Sequence, residues 1–169
     1  MPPPLRAAAR LGLSYRPITD EDMPFLAALY FSTRAEEVAQ TGWPAEIQHQ
    51  FLAQQFDAQH RHYQRHYADA EWLIIERGEE TVGRLYFEEW PSQIRIIDIA
   101  LVPAARGLGI GAAIFEDTFD LARDKGKKVS IHVEKNNRAR NLYMRLGFEV
   151  IADEGVYDLL EWQPDSPAS

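Results

Sequence analysis

Hydrophobic positions change period several times along the chain, and each change marks an element. Residues 11–18 alternate as an edge strand, after which Thr19 and Asp22, three apart, resemble a helix N-cap signal ahead of Met23, Leu26, Leu29 and Tyr30. Gln40-Thr41-Gly42-Trp43-Pro44 breaks that helix, and Pro44 opens a second, longer one through Ile47, Phe51, Phe56 and Tyr63. β-Branched and aromatic residues on either side of Gly78-Glu79-Glu80 predict a hairpin over 72–76 and 81–87. The most apolar strand follows at 94–102. Ile114, Phe115, Phe119, Leu121 and Ala122 then recur at helical spacing up to Gly126, which suits a C-terminal cap. Val129, Ile131 and Val133 alternate as a strand. Ala139, Leu142, Tyr143 and Leu146 form the i, i+3, i+4, i+7 stripe of a short helix stopped at Gly147, and strands at 148–151 and 157–162 close the pattern. Flexible ends are expected at about 1–10 and 164–169, and there is no internal repeat.

The loop between the apolar strand and its helix, Pro103-Ala104-Ala105-Arg106-Gly107-Leu108-Gly109-Ile110-Gly111, changes the picture from fold to chemistry. Glycines let backbone approach a ligand closely, and the first N–H groups of the following helix, with its dipole, favour a phosphate. A tight strand-to-helix turn with no ligand has the same composition. Gly107-x-Gly109-x-x-Ala112 formally satisfies the dinucleotide fingerprint, with Glu134 placed like a ribose-binding acid, but four residues separate strand from glycines and too little chain remains for a doubly wound sheet. A nucleotide-hydrolase phosphate loop would need Gly-Lys-Ser/Thr, which is absent.

Composition narrows the classes further. A chain of 169 residues, 46% hydrophobic, is long enough for one core and short for two, so one domain over 1–169 is expected. The lack of cysteine excludes disulfides, thiolate metal sites and a cysteine nucleophile, and is compatible with a cytoplasmic location. A net charge of -8 opposes nucleic-acid binding, and no stretch approaches membrane-spanning length. His62 and His66 have metal-compatible i, i+4 spacing, but His60, Arg61 and Arg65 beside them make a solvated face the expectation, with no metal site.

Two linked motifs carry a resemblance. Arg106-x-x-Gly109-x-Gly111 is similar to the Arg/Gln-x-x-Gly-x-Gly/Ala pyrophosphate motif of the GNAT superfamily, and Asn136-x-x-Ala139-x-x-Leu142-Tyr143-x-x-x-Gly147-Phe148 resembles that family's second motif in the right order. The resemblance implies an α+β fold whose central, mixed but mostly antiparallel sheet is flanked by about four helices and splays at the acetyl-CoA site. It also implies N-acetyl transfer to a primary amine by direct attack, with acetyl-CoA as cosubstrate. The second reading it leaves open is a non-catalytic acyl-CoA-binding module. A homodimer is compatible with it, and the identity of the amine stays open.

Carried over residue by residue, the resemblance gives the main chain of Arg106, Gly107, Leu108, Gly109, Ile110 and Gly111 to the pyrophosphate, with the pantetheine arm running alongside Leu101 and Val102. A bulge near the strand end would present the Leu101 N–H to the thioester carbonyl. Tyr143 would protonate the CoA thiolate, while its place on the apolar stripe means that its ring packs whatever its hydroxyl does. Asn136 is read as either helix cap or cofactor contact. Asp98, the only carboxylate within the strand, is read as the base or as a structural partner of Arg84 or Arg95, with Glu88 and Glu89 in reserve. Simple alternation puts Arg95, Ile97 and Ile99 on one face and Ile96, Asp98 and Ala100 on the other. Relatives often carry a base or relay at the positions of Arg95 and Ile97, and this chain has none there. Tyr30, Phe31, Arg34, Glu36, Glu37, Trp43 and Tyr157 are expected to frame the acceptor.

Overall fold

A computed structural model describes residues 2–164. Its seven strands are β1 (Leu13–Pro17), β2 (Glu71–Arg77), β3 (Glu80–Glu89), β4 (Gln93–Leu101), β5 (Lys128–Glu134), β6 (Glu149–Glu154) and β7 (Tyr157–Trp162). They form one sheet in the order β1-β2-β3-β4-β5-β7-β6. All neighbours are antiparallel except β4 and β5, which are parallel and therefore need a crossover. Helix α4 (Ile110–Lys125) supplies it. The remaining helices are α1 (Ala7–Arg10), α2 (Met23–Ala39), α3 (Ala45–His66) and α5 (Ala139–Arg145). The architecture is the α+β one expected.

Strand alternation divides the core into two layers. On β2, Leu73 and Ile75 join α4 in the larger cluster, whereas Ile74 faces the smaller one with Leu26 and Tyr30 of α2 and Leu52 and Phe56 of α3. Phe119 stacks on Trp162 of β7 at 4.1 Å, and Phe115 meets Tyr143 and Phe148 edge-on, so α4 holds the β7 half of the sheet through aromatic contacts. Within α3 the apolar stripe is shifted from expectation: Leu52 and Phe56 are buried, and Ile47 is exposed. The start of α2 follows the capping chemistry, with Asp22 Oδ2 accepting the Thr19 N–H at 2.8 Å while Arg16 grips both carboxylate oxygens at 2.8 and 2.7 Å. That guanidinium holds the Asp22 pKa down at about 2.

The expectation of a flexible N-terminal end is corrected. Asp117, wholly buried on α4, accepts the backbone N–H groups of Arg6, Ala7 and Ala8 at 3.2, 2.8 and 2.9 Å, and Ala8 is fully buried. One carboxylate satisfies the orphan donors that a four-residue helix cannot satisfy alone. At the other end, residues 165–169 lie outside the described residues.

The bulge lies deeper than expected. Tyr86 opposes Asp98, but Phe87 opposes Ile96, which leaves Ile97 as the extra residue in mid-strand. That residue changes the parity of β4. Ile94 and Ile96 share the α4 face with Ile99 and Leu101, while Arg95 and Asp98 come to the α2/α3 face. The simple alternation had separated Arg95 from Asp98.

Candidate active site

The parallel pairing of β4 with β5 runs only from Gln93–Lys128 to Ile96–Ile131. Beyond it β5 continues against β7, so the two strands diverge and β4 loses a neighbour on that side. The orientation of its free groups follows from the ladder. Val102 N–H donates to Val82 O at 2.9 Å, so Val102 and Ala100 face β3, and the intervening Leu101 and Ile99 turn N–H and C=O into the gap. Leu101 thus has the orientation its expected role needs, and Ile99, which the sequence reading did not single out, shares it. Both main-chain groups of Val102 are already engaged, since its carbonyl accepts from Ala105 N–H at 2.9 Å.

A short 3-10 turn, Pro103–Ala105, leads from β4 into the glycine loop. Arg106 does not project from it: Nε donates to Leu101 O at 3.0 Å and Nη2 to Ser32 Oγ at 3.2 Å, bracing the loop against β4 and α2. Gly107 and Gly109 have φ of +74° and +81°, values that glycine adopts without strain, and open space lies where a Cβ would project from either. The amides of Gly107, Leu108 and Gly109 make no hydrogen bond among the described residues and precede a sixteen-residue helix. Ile110 is buried, so it offers only main chain, and a Cβ on Gly111 would touch Leu142 Cδ2 at an ordinary 3.5 Å, which is why alanine also suits that motif position. Free amides at a helix start, glycines open on their outer side and the gap-facing N–H groups of Ile99 and Leu101 nearby fit a diphosphate with an extended arm.

Tyr143 projects from α5 onto Phe115 and Phe148, its ring 4% exposed, and no hydrogen bond among the described residues involves its hydroxyl. Burial first, and the Asp98 charge second, raise its pKa well above the ordinary tyrosine value. The Asp98 carboxylate is ion-paired with the buried guanidinium of Arg84, which also donates to Gln59 Oε1 of α3 at 3.0 Å. Of the two partners anticipated for Asp98, the structure selects Arg84.

A cleft of about 870 Å³ opens between α2, α3, β4, β5 and the β6–β7 hairpin. Tyr30, Arg34, Glu37, Trp43 and Tyr157 line it as expected. Phe31 instead packs on His49, and Glu36 pairs with Arg138 at the surface. Sequence reasoning did not place Arg95, His132, Glu134 or Glu154 in the cleft, to which the fold brings them from three strands. Arg34 is chelated by Glu134 at 3.1 and 2.7 Å. Arg95 donates from Nε to Ser130 Oγ at 2.8 Å and from Nη1 to His132 Nδ1 at 3.2 Å, and the His132 Nε2 lies 3.0 Å from Glu154. Because Arg95 can only donate, His132 carries its proton on Nε2. Burial and the Arg95 charge lower its pKa and keep it neutral.

Other expectations resolve differently. Asn136 is exposed and does not cap α5; Asn137 Oδ1 accepts the Ala139 N–H at 2.8 Å. Glu89 is held by Lys125 and Lys127 at the far end of β3, and Glu88 accepts from Trp90 Nε1 at 2.9 Å. His66 Nδ1 contacts His62 O at 3.1 Å, and no metal-binding cluster exists among the described residues. No described helix is long and apolar enough to cross a membrane.

Comparison with known proteins matches this arrangement. No curated protein matches the sequence. Among solved structures, the PaiA N-acetyltransferase of Thermoplasma acidophilum in complex with coenzyme A superposes with a TM-score of 0.66 at 14% identity, over 89% of this chain and 98% of that one. An acetyltransferase from Thermus thermophilus gives 0.65 at 18% identity, over 90% and 97%. A GNAT family acetyltransferase from Elizabethkingia anophelis with acetyl-CoA bound gives 0.55 at 17%, over 90% and 98%. These likenesses show a shared fold. The model of the acetyltransferase (GNAT) family matches residues 33–148, which span both motifs, the bulged strand and most of the cleft. With that match over more than half its length, the chain belongs to the GNAT acetyltransferase family and uses that family's cosubstrate, acetyl-CoA.

Proposed function

We propose that the protein is an N-acetyltransferase that transfers acetyl from acetyl-CoA to a primary amine by direct attack in a ternary complex. The observation that carries this reading is the gap between β4 and β5, with the glycine loop at its open end and the aromatic, charged cleft on one face of the same strands. Acetyl-CoA supplies an activated acyl group whose leaving thiolate needs a proton. The amides of residues 107–111 hold the diphosphate, with the Arg106 side chain bracing the loop rather than touching the ligand. A gap-facing amide of β4, Leu101 N–H or that of Ile99 two residues deeper, stabilises the developing oxyanion. Tyr143 donates the proton, its raised pKa keeping the hydroxyl protonated at every working pH.

Asp98 is assigned the proton of the attacking ammonium, with Arg84 fixing the carboxylate in place. The pairing also makes it a stability element, and the two roles separate by measurement, as set out in the Discussion.

The test is release of free thiol from acetyl-CoA, followed with a thiol-specific chromogen across a panel of primary amines. Amine-dependent release supports transfer. Saturable acetyl-CoA binding with no release for any amine would favour a non-catalytic acyl-CoA-binding module instead.

A further inference from the structure

Two arginines line the cleft, and their surroundings differ. Arg34 is neutralised by both oxygens of Glu134, with Glu37 a further 3.5 Å away. Arg95 is 8% exposed, yet no carboxylate is ion-paired with it among the described residues. Its neighbours are a hydroxyl, Ser130 Oγ, the neutral ring nitrogen of His132 and the face of Trp90, 4.8 Å from the guanidinium carbon. Among the carboxylates on nearby elements, Asp98 is engaged with Arg84, Glu134 with Arg34 and Glu154 with His132, while Glu88, directly opposite Arg95 on β3, accepts from Trp90 Nε1 at 2.9 Å and is not ion-paired with Arg95. A desolvated cation without a counter-ion is unfavourable, and it persists where function retains it.

Position gives this charge a use. Arg95 immediately precedes Ile96, the last residue of β4 paired with β5, so it stands at the closed end of the gap, while the diphosphate loop follows Leu101 at the open end. An arm lying along the gap from that loop points its reacting end toward Arg95. An amine attacking a carbonyl held by the deeper gap-facing amide, that of Ile99, comes within reach of the guanidinium on the cleft side of the sheet.

We infer that the acceptor is an amino acid whose carboxylate is bound by Arg95 at the floor of the cleft. The guanidinium fork suits a carboxylate, and the bond supplies the counter-ion the protein omits. Aromatic rings of Tyr30, Trp43, Phe51 and Tyr157 line the outer cleft and would receive the side chain. The inference rests on the transferase reading for its chemistry, but on Arg95 alone for its specificity.

The experiment compares the common amino acids with their carboxamides as matched acceptors. Carboxamides carry the more readily deprotonated amine, so intrinsic reactivity favours them and any preference for the acid comes from the protein. Wild-type protein should show kcat/KM about 10- to 100-fold higher for the acid in at least one pair, the range for a hydrogen bond to a charged group, and the difference should lie in KM. Arg95→Gln should bring that ratio close to one, and Arg95→Lys, which keeps the charge without the fork, should retain part of it. A wild-type ratio at or below one in every pair overturns the inference without any variant, as does a ratio that survives in Arg95→Gln. Calorimetric titration of the same pairs into CoA-saturated protein separates the two readings. Selective binding of the acid without thiol release keeps the carboxylate site and removes the transferase; thiol release from acid and amide alike keeps the transferase and removes the site.

Discussion

Replacing Tyr143 by phenylalanine removes one oxygen from a ring that packs at 5.2 Å from Phe115 and 5.9 Å from Phe148. The ring contacts survive, and the hydroxyl has no hydrogen bond among the described residues to lose, so stability should change by less than about 0.5 kcal/mol. The rate should change far more. General acid assistance is worth about 10²–10⁴-fold, and a thiol with pKa near ~8.5 already leaves tolerably well, so the loss should lie at the low end, about 10²-fold or ~2.7 kcal/mol in the barrier. It should fall on kcat, because the proton is needed only as negative charge develops on sulfur. The pH dependence adds a second reading. Burial and Asp98 raise the Tyr143 pKa, so the acid form persists and its contribution disappears only above the ordinary tyrosine value of 10.0. The wild-type kcat should therefore show no alkaline limb from this group below that pH. Single-turnover acetyl transfer, in which product release cannot mask chemistry, is the assay. A well-folded Tyr143→Phe protein with wild-type single-turnover rate would make this a packing residue and remove the acid from the mechanism.

Gly109→Asp should abolish the rise in melting temperature given by CoA, which for the wild type corresponds to about 2.7 kcal/mol at a hundredfold excess over Kd; a carboxylate at φ +81° both strains the loop and repels the diphosphate, and an unchanged shift would place the phosphate elsewhere. Asp98→Asn strands the buried guanidinium of Arg84 and should cost about 3 kcal/mol by urea denaturation, partly recovered when Arg84→Met is added. If Asp98 is also the proton acceptor, the folded variant loses rate at neutral pH and keeps its CoA affinity; full activity across the pH range would end that role. Asp22 has a folded pKa of about 2 against 3.8 ordinarily, so its contribution is complete above the ordinary value and is lost as the pH falls toward 2. Melting curves of wild type and Asp22→Asn should therefore converge over that interval, and a constant difference down to pH 2 would contradict the Arg16 clamp.

What the chain announces in its own order is what depends on near neighbours. The β2–β3 hairpin, the stripe of α4 with Gly126 behind it and the glycine loop are each set within a few residues, by turn chemistry, helical period and backbone freedom. The two motifs that place the chain in its family are equally local. The tertiary structure alone decided the rest. The extra residue at Ile97 exists only relative to β3, yet it reverses which face of β4 carries Asp98, and no reading of β4 by itself contains it. Asp117 orders α1 from more than a hundred residues away, and Asn137, one place from the residue expected, takes the cap of α5 because loop geometry decides which oxygen reaches an orphan amide. The cleft charges are the clearest case. Arg34 and Glu134 stand one hundred residues apart and neutralise each other, whereas Arg95 hydrogen-bonds only neutral groups among the described residues, because strand order and the parity of the bulge decide which side chains share a face. Residue types and periods are written in the sequence; which charge is left without a partner is written only in the packing.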